Sequence, residues 1–188
     1  VAAKVNGEIQ GTGYVLTGDC TLEILKFTDE DGAKTFRHTA SHILAQAVKR
    51  LFPEAKLAIG PAIDNGFYYD FDLEHRFTEE DFPAIEKEIR KIVEEDLELE
   101  RFELPRAEAL KLMEEKGEPY KVELINDLQE DAVISFYKQG DFTDLCAGPH
   151  LSSTGPVKAV KIQSVAGAYW RGNENNKMLQ RLYATAFP

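Results

Sequence analysis

The first 27 residues alternate apolar and polar positions in short runs, with Val5 before an Asn6-Gly7 turn signal and Leu22, Ile24 and Leu25 after a second one at Thr17 to Asp19. Such alternation predicts short strands. Too few apolar residues lie here to bury a core unaided, so the stretch is expected to be half of a small β-rich unit that leans on its neighbour or lacks a preceding part. The Asp29-Glu30-Asp31-Gly32 cluster is the expected boundary. From Thr35 to Phe52 the period changes: Ile43, Ala47 and Leu51, with Leu44, Val48 and Phe52, recur four residues apart up to Pro53. That spacing predicts an amphipathic helix.

Farther along, Leu57 to Ile59 and Phe67 to Phe71 read as a hairpin around Asp64-Asn65-Gly66. Thr78 and Asp81 form a capping-box signal for a helix over 82–95, whose apolar stripe is Phe82, Ile85, Ile89 and Ile92. Leu97 to Leu104 alternates as a strand, and Pro105 to Lys116 reads as a helix closed by Gly117. Three strand-like runs follow at Ala132 to Lys138, Val157 to Val165 and Met178 to Tyr183. Helices and hairpin-linked strands without regular strand-helix alternation predict an α+β fold, a two-layer antiparallel sheet with helices packed on one face.

Composition narrows the function classes. Of 188 residues 43% are hydrophobic and 29% charged, an ordinary globular balance, and the net charge of −11 excludes a generally basic nucleic-acid surface. Residues 72–118 carry −9, whereas residues 145–188 carry +4, so only the tail is suited to meeting phosphate. No apolar run reaches the roughly 20 residues of a membrane helix, and the stretch that opens at Val1 is not expected to be a cleavable signal. Two cysteines, Cys20 and Cys146, make no disulfide framework. A cytoplasmic piece of a longer chain is expected.

The chemistry-bearing residues are two i, i+4 pairs, His38-x3-His42 and Cys146-x3-His150. On a helical wheel His42 lies about 40° from His38, while the apolar positions spread over about 140° to 280°, so both imidazoles sit off the apolar centre. Gly148 and Pro149 fix the backbone between the second pair. Three histidines and a cysteine suit either a tetrahedral zinc site or metal-free hydrolysis, in which neutral imidazoles orient a water. Spacing alone favours zinc slightly. Cys146 as an acyl nucleophile is the weaker reading, because nothing local lowers its thiol pKa.

The runs Arg37-His38-Thr39-Ala40-Ser41-His42, Ile59 to Asp70, Asp144 to His150 and Ala168-Tyr169-Trp170-Arg171-Gly172 together closely resemble the N-terminal region of bacterial-type threonyl-tRNA synthetases. The resemblance covers nearly the whole chain. It implies that residues 1–30 are the C-terminal half of a β-grasp (TGS) domain and residues 31–188 an editing domain of the kind shared with alanyl-tRNA synthetases. The implied activity is hydrolysis of serine wrongly esterified to tRNA(Thr). His38 would position or deprotonate the attacking water, and Lys121 would orient a water or stabilise the oxyanion. His42, Cys146 and His150 complete the pocket. Tyr69 and Asp144 would hold the seryl group, while the Gly60 backbone bars an additional methyl. Without the resemblance, Lys121 reads as a solvated strand-edge lysine and Tyr69 as a core aromatic.

The alanyl-type relatives look like zinc proteins, whereas the threonyl branch is understood to work through waters. No cofactor is therefore expected for editing, with zinc at His38, His42, Cys146 and His150 as the less favoured reading. The implied partners are the serine-carrying acceptor end of tRNA(Thr) and the remainder of the synthetase chain, with no membrane. A free-standing editing factor differs only in gene context. The alternative from another class is a non-catalytic acceptor-stem binding module with a structural zinc site. His75 is read as a loop histidine, Cys20 as a small free thiol, and Trp170 as a packing residue beside a phosphate contact at Arg171.

Overall fold

A computed structural model describes residues 1–188. Strands β1 (Ala2–Val5), β2 (Glu8–Gln10) and β3 (Leu22–Leu25) form a small antiparallel sheet in the order β2-β1-β3. Asn6 and Gly7, at φ of 51° and 84°, make the two-residue turn that pairs Val5 with Glu8. This sheet leans on its neighbour: Ala2 and Leu25 are buried, and Phe27 meets Phe36 edge-on at 4.9 Å. Leu22 and Ile24 remain exposed on its other side.

Helix α1 (Glu30–Leu51) starts five residues before the periodicity predicts, because the acidic cluster forms its first turn. Asp29 precedes it, and Glu30 and Asp31 sit where carboxylates meet the positive end of the helix dipole. Fourteen of its 22 residues are buried, so the face outside the apolar stripe is covered as well. Next come β4 (Lys56–Leu57), β5 (Ala62–Ile63) and β6 (Gly66–Asp72). The tight loop between β5 and β6 is Asp64-Asn65, with Asn65 left-handed at φ 60°. The Thr78 and Asp81 capping box is present, leading through a single 3-10 turn into α2 (Phe82–Glu95). Its stripe of Phe82, Ile85, Ile89 and Ile92 is buried as patterned.

The chain continues through β7 (Leu99–Glu103), α3 (Arg106–Glu115), α4 (Pro119–Asp127), β8 (Ser135–Gln139), β9 (Phe142–Leu145), β10 (Ala159–Tyr169) and β11 (Met178–Phe187). The fold is α+β and antiparallel, but the strands do not join one sheet. A larger sheet runs β10-β11-β6-β4 with β5 beside β6, and a separate one runs β7-β8-β9. Helices α1 and α2 cover one face of the larger sheet around Ile43, Phe67, Phe71, Ile85, Ile89 and Leu182. The smaller sheet has its own cover: Met113 of α3 and Ile125 of α4 pack on Phe136 of β8.

Two elements escaped the sequence pattern. Helix α4 buries only Lys121 and Ile125, so it carries no apolar stripe to detect, and Lys121 stands on a helix rather than at a strand edge. Strand β9 turns Phe142 and Asp144 inward, and the inward carboxylate breaks the alternation that marks strands.

Truncating Ile89 to Ala, a fully packed position of α2, is expected to cost about 2–5 kcal/mol in urea unfolding, whereas Ile24→Ala on the exposed strand should stay within about 0.5 kcal/mol. Equal costs for the two would place the core elsewhere.

Candidate active site

The i, i+4 spacing on α1 places His38 and His42 on one face, with ring centroids 5.1 Å apart. Strand β9 delivers the loop from Cys146 to His150 across that face. The loop is tied at both ends. Its start exchanges hydrogen bonds with Ser135, which receives the Cys146 N–H at its carbonyl (3.0 Å) and donates its hydroxyl to the Cys146 carbonyl (2.6 Å). Its end donates the Leu151 N–H to the Thr39 hydroxyl at 2.9 Å. Gly148, at φ 75°, lies against the Tyr137 hydroxyl, and any Cβ there would overlap it.

His150 therefore stacks on His38 with centroids 4.3 Å apart and lies 4.3 Å from His42. The Cys146 Sγ sits 3.1 Å from His150 Nε2 and 3.4 Å from His38 Nε2. Thr39 Oγ1 is 3.0 Å from His150 Nδ1 and 3.3 Å from the Thr35 carbonyl. A hydroxyl has one proton to give. If Thr39 donates it to Thr35, His150 carries its proton on Nδ1 and turns the Nε2 lone pair toward Cys146.

A second group adjoins the first through His42, whose Nε2 lies 3.6 Å from Asp144 Oδ2. Lys121 Nζ reaches Asp144 Oδ1 at 2.8 Å and donates to the Tyr69 hydroxyl at 3.1 Å. Tyr69 in turn donates to Asp144 Oδ2 at 2.6 Å. All three are buried. Gly60 lies behind this group: a Cβ there would run into the Tyr69 ring, and its carbonyl accepts the Ser41 hydroxyl at 2.7 Å. The glycine is thus required by an aromatic ring of the protein itself.

A cleft of about 430 Å³ opens between the N-terminal sheet and α1, lined by Ile9, Lys34, Thr35, His38, Pro61 and Pro149 among others. His38 is the member of the His/Cys cluster that lines it; His42 and His150 are 3% exposed. Burial holds the rings neutral. Desolvation lowers His38 to about 4, partly opposed by the Asp144 charge, and holds His42 and His150 well below the ordinary imidazole value. It pushes the Cys146 thiol up to about 12 and the Tyr69 phenol well above its ordinary value. A thiol held in that form is a poor nucleophile.

The four donors suit zinc in kind. Zinc with bonds of about 2.0–2.3 Å needs ligand atoms roughly 3.3–3.8 Å apart. The two sulfur-nitrogen distances are close to that range, while the whole set spans up to 4.8 Å, so binding would draw the widest pair inward. His42 Nδ1 is buried without a partner, as a ligand atom whose other nitrogen faces a carboxylate would be.

The structure brings together the catalytic and substrate-binding candidates read from the sequence: His38, His42, Cys146 and His150 form one cluster, Lys121, Asp144 and Tyr69 its neighbour, and Gly60 the backing. It adds Thr39 and Tyr137, which hold His150 and its loop; a lone Thr within a helix and a Tyr within a strand gave no signal. Arg171 is occupied, pairing with Glu123 and Asp127 of α4 rather than standing free for phosphate. His75 is an exposed loop residue, 3.0 Å from Asp81.

Comparison with known proteins places this arrangement. Residues 134–183 match the family described as "Threonyl and Alanyl tRNA synthetase second additional domain". Over 187 residues the chain is 68% identical to the threonine–tRNA ligase of Clostridioides difficile (strain 630) and 67% identical to that of Acetivibrio thermocellus. The ligase of Clostridium tetani (strain Massachusetts / E88) is 70% identical over the same length. Each match takes in 100% of this chain, which spans 29% of the ligase.

The lowered histidines make stability depend on pH. An unfolded chain protonates these rings near 6.5, whereas the folded His38 resists down to about 4, so acidification favours unfolding. The urea midpoint is expected to fall between pH 7 and pH 5, and His150→Gln should flatten that slope. A midpoint independent of pH across this window would show that the rings titrate normally.

Proposed function

Because this chain belongs with the threonyl-tRNA synthetases, as a segment spanning 29% of their length, we propose that it is their editing unit, which hydrolyses the ester of Ser-tRNA(Thr). Its partners would be the serine-carrying acceptor end of tRNA(Thr) and the remainder of the synthetase, in the cytoplasm. Residues 1–30 would be the C-terminal half of a TGS domain and residues 31–188 the editing domain. No helix is long and apolar enough to cross a membrane.

Physical chemistry supplies the need. Serine keeps the hydroxyl of threonine and lacks one methyl, a difference worth only about 1–3 kcal/mol in a binding pocket. A second site that excludes the larger ester can correct the error. The observation that carries the reading is a neutral imidazole, His38, on the wall of a cleft, backed by a buried ammonium and carboxylate.

In this reading the ester carbonyl enters past Lys34 and Pro149, and His38 aligns a water against it. A ring whose proton affinity corresponds to about 4 stores a full proton poorly, so His38 shares the water's proton as the C–O bond forms. Lys121 ion-pairs with Asp144 and donates to Tyr69, and an ammonium with three N–H groups can still donate to the oxyanion. The proton then passes to the departing ribose oxygen. Tyr69 and Asp144, buried behind the cleft wall, would receive the seryl hydroxyl and ammonium, the ammonium replacing one of the partners that Asp144 now holds. His42, Cys146 and His150 keep the floor rigid and polar.

We propose that this works without a resident metal. The second reading, a zinc held by His38, His42, Cys146 and His150, is favoured by the donor set and the buried His42 Nδ1. Zinc bound there would supply a Lewis acid or, with its coordination closed, a structural knot in a non-catalytic module that binds the acceptor stem.

Single-turnover deacylation separates these readings. His38→Ala is expected to slow hydrolysis of Ser-tRNA(Thr) about 10²–10⁴-fold in a folded protein, and Thr-tRNA(Thr) should be spared by the wild type. Full activity in His38→Ala would remove the ring from catalysis. Elemental analysis giving one zinc per chain, with activity lost on chelation and restored by zinc, would establish the second reading's metal.

Gly60→Ala should also slow the serine reaction, by displacing the Tyr69 ring, without unfolding the chain. An unchanged rate in this variant would uncouple Tyr69 from the chemistry.

A further inference from the structure

We propose that the turn at Trp170 and Arg171 is a clasp that fixes the rotation of α4 and so aims Lys121 at Asp144; the inference rests on the hydrolytic reading of the site. Helix α4 has nine residues, a length that is marginal on its own, and its orientation must come from docking. Beside the face buried through Lys121 and Ile125, a second, more exposed stripe of the helix is also held. Tyr120, Glu123, Leu124 and Asp127 stand at i, i+3, i+4 and i+7, and each meets the clasp or its surroundings. Trp170 Nε1 donates to Glu123 Oε2 at 3.0 Å, and Arg171 pairs with Glu123 at 3.5 Å and with Asp127. The Tyr120 ring lies edge-on to Trp170 at 5.0 Å, and its hydroxyl donates to Asp72 on β6 at 2.6 Å. Leu124 packs against the small cluster of Ala58, Trp170 and Leu179.

Lys121 follows Tyr120 by one residue, about 100° around the helix, on the adjoining stripe with Ile125. Once the docking stripe is seated, the direction of Lys121 follows. The clasp is firm. Arg171 is held left-handed at φ 56°, a conformation that costs a non-glycine residue energy and that lets both Trp170 and Arg171 face the helix. Asn176 donates to the Trp170 carbonyl at 2.9 Å, and the Trp170 N–H is bound to Lys177 at 3.0 Å. The basic residue that a reading of charge alone would offer to phosphate is therefore engaged within the protein. Trp170 and Arg171 act as positioning residues, through Lys121.

Two measurements on the full chain test this. In the first, Arg171→Ala and Trp170→Phe are combined with Lys121→Met in single-turnover deacylation of Ser-tRNA(Thr). Each clasp variant is expected to lower the first-order rate about tenfold at unchanged half-saturation, and to have no further effect once Lys121 is gone. Arg171→Lys should recover part of the loss. In the second, acetic anhydride labelling mapped by mass spectrometry reads the exposure of the Lys121 amine. Labelling should rise about tenfold in Arg171→Ala or Trp170→Phe while that of Lys111, already on the surface, stays the same. Additive rate losses, or Lys121 labelling unchanged in a folded variant, would overturn the clasp. A raised half-saturation at unchanged first-order rate would return Arg171 to the tRNA backbone and overturn it too. If the wild type hydrolyses nothing, the hydrolytic reading fails on its own, and the labelling still decides whether the turn orients Lys121.

Discussion

One carboxylate holds the molecule's two halves in register. Asp144 comes from the smaller sheet, Tyr69 from the larger, and Lys121 from a helix packed between them, and the three meet at 2.6 to 3.1 Å with almost no water contact. Such a group is costly to desolvate and tolerable only while every partner stays in place; removing one partner from a buried pair typically costs about 3–5 kcal/mol. The sheets are thus joined by a polar condition as well as by apolar contact, since Phe142 of β9 enters the core of the larger sheet. The His/Cys cluster sits on top of that condition, since His42 is the bridge between the two groups.

This explains how the proposed hydrolytic site is assembled from segments more than a hundred residues apart. Helix α1 supplies two rings whose relative position needs only helical geometry. The loop from Cys146 to His150 supplies the third ring, and its course is dictated by Ser135 at one end and Thr39 at the other. Burial does the remaining work by holding all three imidazoles neutral, so at physiological pH they carry no positive charge of their own and keep their lone pairs free.

Much of this was legible in the residues. The Asn6-Gly7 turn, the Thr78 and Asp81 box and the stripe on α2 are local codes, and they appear in the structure where the pattern puts them. The two i, i+4 pairs likewise announced the cluster. What stayed hidden depended on long-range placement. Nothing in the spacing of Tyr69, Lys121 and Asp144 shows that they touch, because their meeting is set by the docking of two sheets. Helix α4 was invisible for the related reason that it faces protein with a lysine, an isoleucine and a polar stripe. The single sheet expected from the strand count became two, because β7 finds its partner in β8 and closes a layer of its own with α3 and α4.

Gly60 and Tyr69 show a different kind of dependence. The ring of one fills the space that a side chain on the other would need. Neither position can change in size alone: a methyl at 60 evicts the ring, and a smaller residue at 69 leaves a void and an undersupplied carboxylate. In the space of possible sequences the two therefore form a single step, to be taken together or not at all. A corner interlocked in this way cannot be reshaped through a series of mild single substitutions.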